Sequence, residues 1–571
     1  MNRSELIGLI AQNRFLKSPI TWICLAICIY FLAIPVDIIE VDSAQYYSMA
    51  VEMLKKGEYL EFTDRGKPYL DKPPFIFWIS GLFFSIFGIS EFAFKLPSIL
   101  FSVLGIYACY RLARIYYNKE TAQLAALILA TTQGYYHFNN DVRTDTYLTN
   151  SVIASVWLIA EFLSKRRLLY CLGGFFFAGI AMLAKGPMGL VSPILAFGTH
   201  ILFKSNWRVL WRWEWIVGIA VTGVVISPML IGLYHQFDLH PELVVNGKTG
   251  VSGLRFYFWE QSFGRITGEN VWKNDTGPFF FVHNLAWSFL PWSIGIFGAF
   301  FLLIKQTINE RRFLIKEKQE WISWGGFLLP FIALSFSKYK LPHYIYVTFP
   351  FAAVIAADYF IGLKRKSELL FKRINAVQYV VMGAAWLFAL LIVGWFFPLK
   401  NVLLILVAFV GIVGLIWSGF NRFGSVYNRF LFVSLLSSFS VNAIMATHFY
   451  PSILEYQASG KAGTFALENN LPLDRLYVLE ANARALDVYS EHVQIEVDEQ
   501  KLQQIWELDS INALYVFTNR NGLHRLHSAG WTLDTVFKAP AYSVTILTMN
   551  FGNPNTREKV LNRGYIFKLS K

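Results

Sequence analysis

Apolar stretches of bilayer-crossing length recur from Ile20 to about Tyr450, and this recurrence limits the fold more than any other feature of the chain. Backbone N–H and C=O groups find no water in hydrocarbon, so a run of about 20 apolar residues crosses as a helix that bonds to itself. Composition points the same way. Hydrophobic residues make up 55% of the chain and aromatic residues 17%, with only 16% charged, whereas about a quarter of a soluble domain is charged. The expected class is a membrane all-α protein with many spans. Residues 451–571 alone have soluble composition, with strand-like runs at Leu476–Leu479, Ala513–Thr518 and Tyr542–Thr548 and helix-like sequence around Lys501–Ile505. A small α/β or α+β extracytoplasmic domain is therefore expected over 451–571, after a membrane domain over 1–450.

The net charge of +13 does not point to nucleic acid, because the basic residues sit in short clusters between the apolar segments. Arg111 and Arg114, Lys165 to Arg167, Lys204 with Arg208 and Arg212, Arg311 with Arg312, and Lys364 to Lys366 are examples. Such clusters mark cytoplasmic loops, and no contiguous basic face of the nucleic-acid kind is visible. With the N-terminus inside, thirteen spans place every cluster on the cytoplasmic side: 20–37, 96–116, 120–138, 146–163, 168–184, 187–203, 214–233, 279–304, 322–336, 341–362, 376–397, 401–420 and 430–449. Phe75–Ile89 is too short to span and would invert this order, so it is expected as a juxtamembrane helix in the outer interface. The stretch after Lys17 lacks a small-residue cleavage site and is expected to stay as a span. All four cysteines fall in predicted spans, so they frame neither a metal site nor a disulfide in the outer loops.

The outer loops carry the charge that needs explaining. Asp42 opens a helix-like stretch to Lys56. At that position it is a helix cap, a base able to take a proton from an acceptor hydroxyl, or both. Asp141, Arg143 and Asp145 follow a span end, where polar groups are expected to have partners or to face a cavity. In Asp71-Lys72-Pro73-Pro74, Lys72 is either a snorkelling lysine or the positive charge a phosphate needs. The loop from His235 to Gly277 holds Glu260 and Arg265 and is long enough for a lid. Lys338 and Lys340 lie among aromatics in SKYKLPHY, which ends at Tyr344.

The D-x-x-x-Y of Asp42 and Tyr46, the Y-x-D-K-P-P of Tyr69 to Pro74, the R-x-D-x-x-L-T of Arg143 to Thr149 and the A-K-G-P of Ala184 to Pro187 occur in one order. Together they resemble the GT-C superfamily of membrane glycosyltransferases, family 39 type, which includes lipid A aminoarabinose transferases and, more distantly, protein mannosyltransferases. The resemblance continues through Phe258 to Trp292 and Ser335 to Pro350. It departs at Ser43, where relatives often have Glu, and at Gln261 and Ser262, where many have a histidine after the glutamate. The resemblance implies a GT-C bundle in the cytoplasmic (inner) membrane with its site facing the periplasm or exterior. It implies a polyprenyl-phosphate-linked sugar donor, and a lipid or protein acceptor in the cell envelope. Asp42 and Asp145 are then the catalytic candidates, and Lys72, Arg65, Lys338 and Lys340 the donor-phosphate candidates. Tyr46, Asp71, Arg143, Glu260, Arg265 and Tyr344 would shape the pocket. A divalent metal held by Asp42, Asp71 and Asp145 is an open alternative, since hard cations favour oxygen ligands. A transporter or flippase of lipid-linked sugars is the second functional reading.

Overall fold

The computed structural model describes residues 18–261, 264, 274, 276–310, 320–419, 425–508 and 513–570. Among these, eight helices are long and apolar enough to cross a membrane: Glu91–Tyr116, Thr144–Lys165, Leu168–Lys185, Glu214–Asp238, Pro342–Lys366, Glu368–Phe396, Val402–Gly419 and Val426–Leu454. Pro19–Leu32, Phe75–Phe87, Met188–Lys204, Ser293–Asn309 and Ile322–Ser335 are shorter apolar helices. Two of the expected spans are broken, each for a local reason. The stretch 120–138 divides into Lys119–Ala130 and Gln133–Asn140. At that break the Thr131 hydroxyl donates to Leu127 O at 2.6 Å and receives the Trp292 indole N–H at 2.8 Å, an alternative to continued helix. The stretch 279–304 is interrupted where Pro291 follows Leu290, between Phe280–Ser288 and Ser293–Glu310, because proline restricts the residue before it and offers no N–H.

The site is framed by five helices: α1 (Asp42–Lys56), α2 (Phe75–Phe87), α3 (Glu91–Tyr116), α4 (Thr144–Lys165) and α5 (Leu168–Lys185). α1 ends at Gly57, whose φ of 70° suits a left-handed stop, with Lys55 and Lys56 in the last turn opposing the negative end of the helix dipole. α2 has 13 residues, a length of about 20 Å, well short of the roughly 30 Å hydrocarbon core. α3 and α4 approach closely at Gly105, where an added Cβ would lie 1.7 Å from Asn150 Oδ1. That same oxygen accepts the Tyr135 hydroxyl at 2.7 Å. The close fit fixes α4, and with it Asp145 in its first turn.

Towards the C-terminus a five-stranded sheet has the order β4-β3-β5-β7-β6. Its strands are β3 (Leu476–Leu479), β4 (Ile495–Glu496), β5 (Leu514–Thr518), β6 (Thr532–Ala541) and β7 (Asn562–Ser570), and the numbering counts the two-residue pair β1 (Thr63–Asp64) and β2 (Lys67–Pro68). β3 runs parallel to β4 and β5, while β7 is antiparallel to β5 and β6. The expected strand at Tyr542–Thr548 is not one. It is a loop after β6, with only Val544 buried. The helix around Lys501–Ile505 is present as Glu499–Leu508.

This sheet unit is fastened to the chain around α1. Arg65 donates to Asp487 at 2.7 and 2.9 Å, to Glu496 at 2.9 Å and to Ala483 O at 2.7 Å. Arg484 pairs with Asp64, which also accepts Gln45 at 2.7 Å. Gln457 brackets the segment before α1, accepting the Glu40 N–H and donating to Ile38 O, both at 2.9 Å. The Tyr489 hydroxyl accepts the Ile38 N–H at 2.8 Å and donates to Glu91 at 2.6 Å.

Candidate active site

Two clusters of ions form where α1 and α4 start and α5 ends. In the first, Arg143 bridges two carboxylates: its Nη1 lies 2.5 Å from Asp42 Oδ2 and its Nε 2.6 Å from Asp141 Oδ2. Burial opposes the Arg143 charge, but Asp141 and Asp42 outweigh it and hold the guanidinium pKa above its usual value. Asp42 is not the cap of α1. That position is Val41, and Asp42 stands in the first turn with its carboxylate turned to Arg143. Its side chain remains 38% exposed while that of Asp141 is 3% exposed, so Asp42 is the acid of this pair open to a substrate.

In the second cluster Asp145 lies 2.5 Å from Lys185 Nζ and 3.7 Å from His343 Nε2. Lys185 also stands 4.2 Å above the Tyr344 ring, close enough for a cation–π contact. Asp145 is nearly sealed, with 4% of its side chain exposed. The sequence reading missed Lys185 and His343 as site residues. Lys185 was visible as the only charge ending an apolar helix in A-K-G-P, but that signal is shared with any snorkelling lysine.

Lys72 and Asp71 pair at 2.7 Å on the edge of a small cavity lined also by Leu60, Tyr69, Met229, Phe256 and Gln261. The lining is mixed: apolar walls with a few polar atoms. The Tyr69 hydroxyl and Gln261 Oε1 are buried without a hydrogen-bond partner among the described residues, a costly state unless a ligand or water completes them. The buried Tyr46 hydroxyl links this edge to the first cluster. Burial, then Asp42, Tyr69 and Asp71, raise its pKa well above the usual phenol value. His343 is within electrostatic range of Arg143, Lys185, His137 and Lys72, so both clusters and the cavity edge belong to one region.

Other expected members stand elsewhere. Arg65 is committed to Asp487 and Glu496, with 2% of its side chain exposed, and cannot also hold a donor phosphate. Lys340 donates to Thr276 O at 2.8 Å and Gly277 O at 3.3 Å; burial, then Lys338, lowers its pKa. Lys338 is exposed. Glu260 lies 3.4 Å from Arg255. Arg265 lies outside the described residues. The metal alternative does not fit: among the described residues no three His, Cys, Asp or Glu gather for an ion, and Asp42, Asp71 and Asp145 each face a different cation.

The architecture is the GT-C fold, and eight of the described helices are long and apolar enough to cross a membrane. In particular, it is similar to ArnT from Cupriavidus metallidurans bound to undecaprenyl phosphate, with a TM-score of 0.74 and 15% identity over 96% of this chain and 97% of that one. Residues 71–231 match the family described as dolichyl-phosphate-mannose-protein mannosyltransferase, a stretch that includes Lys72, Arg143, Asp145 and Lys185. An undecaprenyl phosphate-alpha-4-amino-4-deoxy-L-arabinose arabinosyl transferase of Proteus mirabilis is 25% identical over 62% of this chain and 61% of its own length. An uncharacterized protein of Aquifex aeolicus is also 25% identical, over 58% of this chain and 61% of its own. The chain thus matches about three fifths of the length of these curated relatives.

Proposed function

We propose that this protein is a glycosyltransferase that moves a sugar from a polyprenyl-phosphate donor to an acceptor in the cell envelope, a glycolipid such as lipid A or a protein. The observation that carries this reading is the meeting of Lys72, at the edge of a mixed apolar and polar cavity, with the half-exposed Asp42 and the sealed Asp145 pair in one region. The GT-C fold and the arabinosyl transferase relatives give that chemistry its direction.

In this reading the polyprenyl phosphate enters beside Lys72, and its oxyanion replaces Asp71 as partner of the ammonium. Breaking the sugar C1–O bond leaves charge on the phosphate, which a preorganised cation stabilises. Asp42, oriented by Arg143, takes the proton of an acceptor hydroxyl as that oxygen bonds to C1. For a phosphate acceptor no proton need be removed, and Asp42 positions the nucleophile. Asp145, locked by Lys185 and His343, orients the acceptor or the donor ring. No step uses a metal.

The site is assigned to the outer face, with thirteen spans and an extracytoplasmic unit over 451–571. α4 supports this: its 22 residues separate Asp145 from the basic turn at Arg166 by about 33 Å, the width of the membrane core. The ions gather at helix ends and not at mid-membrane, where transport sites usually lie, and this favours transfer over transport. The test is purified protein in lipid with a radiolabelled polyprenyl-phosphate sugar and a cell-envelope lipid extract. A new glycosidic product supports the reading; movement of the donor between leaflets without product overturns it.

A further inference from the structure

The loop after β6 presents a short apolar run beside the end of the span candidate Glu368–Phe396. Ile546 is 67% exposed, Leu547 48% and Met549 66%. Its stem is not free. Val544 and Phe551 belong to the same apolar cluster as Trp386, Ile392, Val393, Phe396 and Phe397, which lie along the last turns of the span candidate Glu368–Phe396. Phe551 stacks on Tyr542 at 3.9 Å and meets the Phe397 ring at 6.1 Å. Arg557 donates to Phe396 O and sits 4.4 Å over the Phe397 ring. A Cβ on Gly552 would touch Phe396 at 3.0 Å, so the stem presses directly on the helix end.

We infer that Ile546, Leu547 and Met549 form a lipid-binding tip that dips into the leaflet beside the end of this helix and pins the sheet unit to the membrane surface. The occupant is lipid because the tip continues the exposed apolar surface at the ends of two span candidates. Trp395, on the same last turn, is 43% exposed, as expected of an aromatic residue in the interface. Leu391, one turn earlier, is 36% exposed, and Val402 and Leu403 at the start of the next span candidate are 70% and 68% exposed. Three large apolar side chains held in water beside the helix end would be a standing cost, whereas in the acyl boundary each gains the transfer energy of its surface. The inference does not depend on sugar transfer; it would hold for any function of the bundle.

The test uses the full chain with Cys24→Ala and Cys28→Ala, labelled with the fluorophore NBD at Ile546→Cys or Met549→Cys, with Arg520→Cys on the sheet unit as the aqueous control. Each is placed, at one copy per disc and separately at two, in nanodiscs of phosphatidylcholine and phosphatidylglycerol. The expected result is a blue shift and strong quenching by doxyl-labelled lipid at 546 and 549, with neither at 520. Quenching by aqueous iodide at 546 and 549 equal to that at 520 overturns the inference. Protection that appears only when two copies share a disc assigns the tip to a second copy and overturns it as well.

Discussion

Replacing Arg65 by Met should release the sheet unit from the turn between β1 and β2 without touching the proposed donor site. Arg65 is buried with Asp487, whose side chain is fully covered, and it is the largest single tie between the two parts. Removing one partner of a buried ion pair costs about 3–5 kcal/mol, because the other charge is left buried alone. At about 1.4 kcal/mol per decade this raises the opening equilibrium of the contact by roughly two to three and a half decades. The assay is hydrogen exchange at Arg484–Tyr489, where the Ala485 N–H bonds to Glu40 at 2.8 Å. Adding Asp487→Leu to Arg65→Met should recover part of the loss, since an apolar pair leaves no orphaned charge. Donor-analogue affinity, measured on the folded fraction, should be unchanged. An exchange increase under about tenfold, or a loss of donor affinity with exchange intact, would refute the reasoning and return Arg65 to the phosphate.

Three further outcomes are expected. Burial, ahead of all other influences, pushes the Glu40 pKa up to about 7. That value is raised on docking, so the docked form binds more protons; its extra stability is present below the ordinary carboxylate range and is lost as pH rises through about 7. The thermal midpoint should therefore rise between pH 8 and pH 5.5, and Glu40→Gln should flatten most of that slope; a midpoint that falls on acidification in both proteins contradicts this. Asp42→Asn should lower turnover on a hydroxyl acceptor by roughly 10²- to 10⁴-fold, as for a lost general base, and near-normal kcat would reduce Asp42 to a partner of Arg143. Lys72→Met keeps the apolar stem but loses the ammonium, and a charge-assisted contact worth about 1.5–3 kcal/mol predicts roughly 10- to 150-fold weaker binding of a donor analogue; affinity within about twofold of wild type would make Lys72 an interfacial anchor only.

The helical class and most apolar segments were legible because hydrocarbon leaves the backbone so few options. The count of spans was less so, and the broken stretches show why. Thr131 is one hydroxyl in an apolar run, and its effect depends on Trp292, 161 residues away, reaching it with an indole N–H. Tyr542–Thr548 has the β-branched, aromatic pattern of a strand, yet Tyr542 stacks on Phe551 and Val544 buries against the helix rim. Tertiary contact overrode local preference there, as it commonly does for strand propensity.

The candidate site divides along the same line. Asp42, Lys72, Arg143 and Asp145 stood out because charge beside a membrane is expensive wherever it occurs, a cost that can be read from one position at a time. What each charge pairs with is a property of pairs, and pairs come from the fold. Arg65 and Lys72 lie seven residues apart in one charged loop and look alike in the sequence. The turn between β1 and β2 sends Arg65, at a φ of 54°, away to Asp487, while Pro73 and Pro74 start α2 and leave Lys72 at the cavity. Lys185 and His343 are the converse case. Alone each reads as an interfacial side chain, but α5 and the chain before Phe349 deliver them to the same carboxylate. Both side chains hold the Asp145 carboxylate from opposite oxygens, so replacing either should disturb the orientation of Asp145 before it disturbs the bundle.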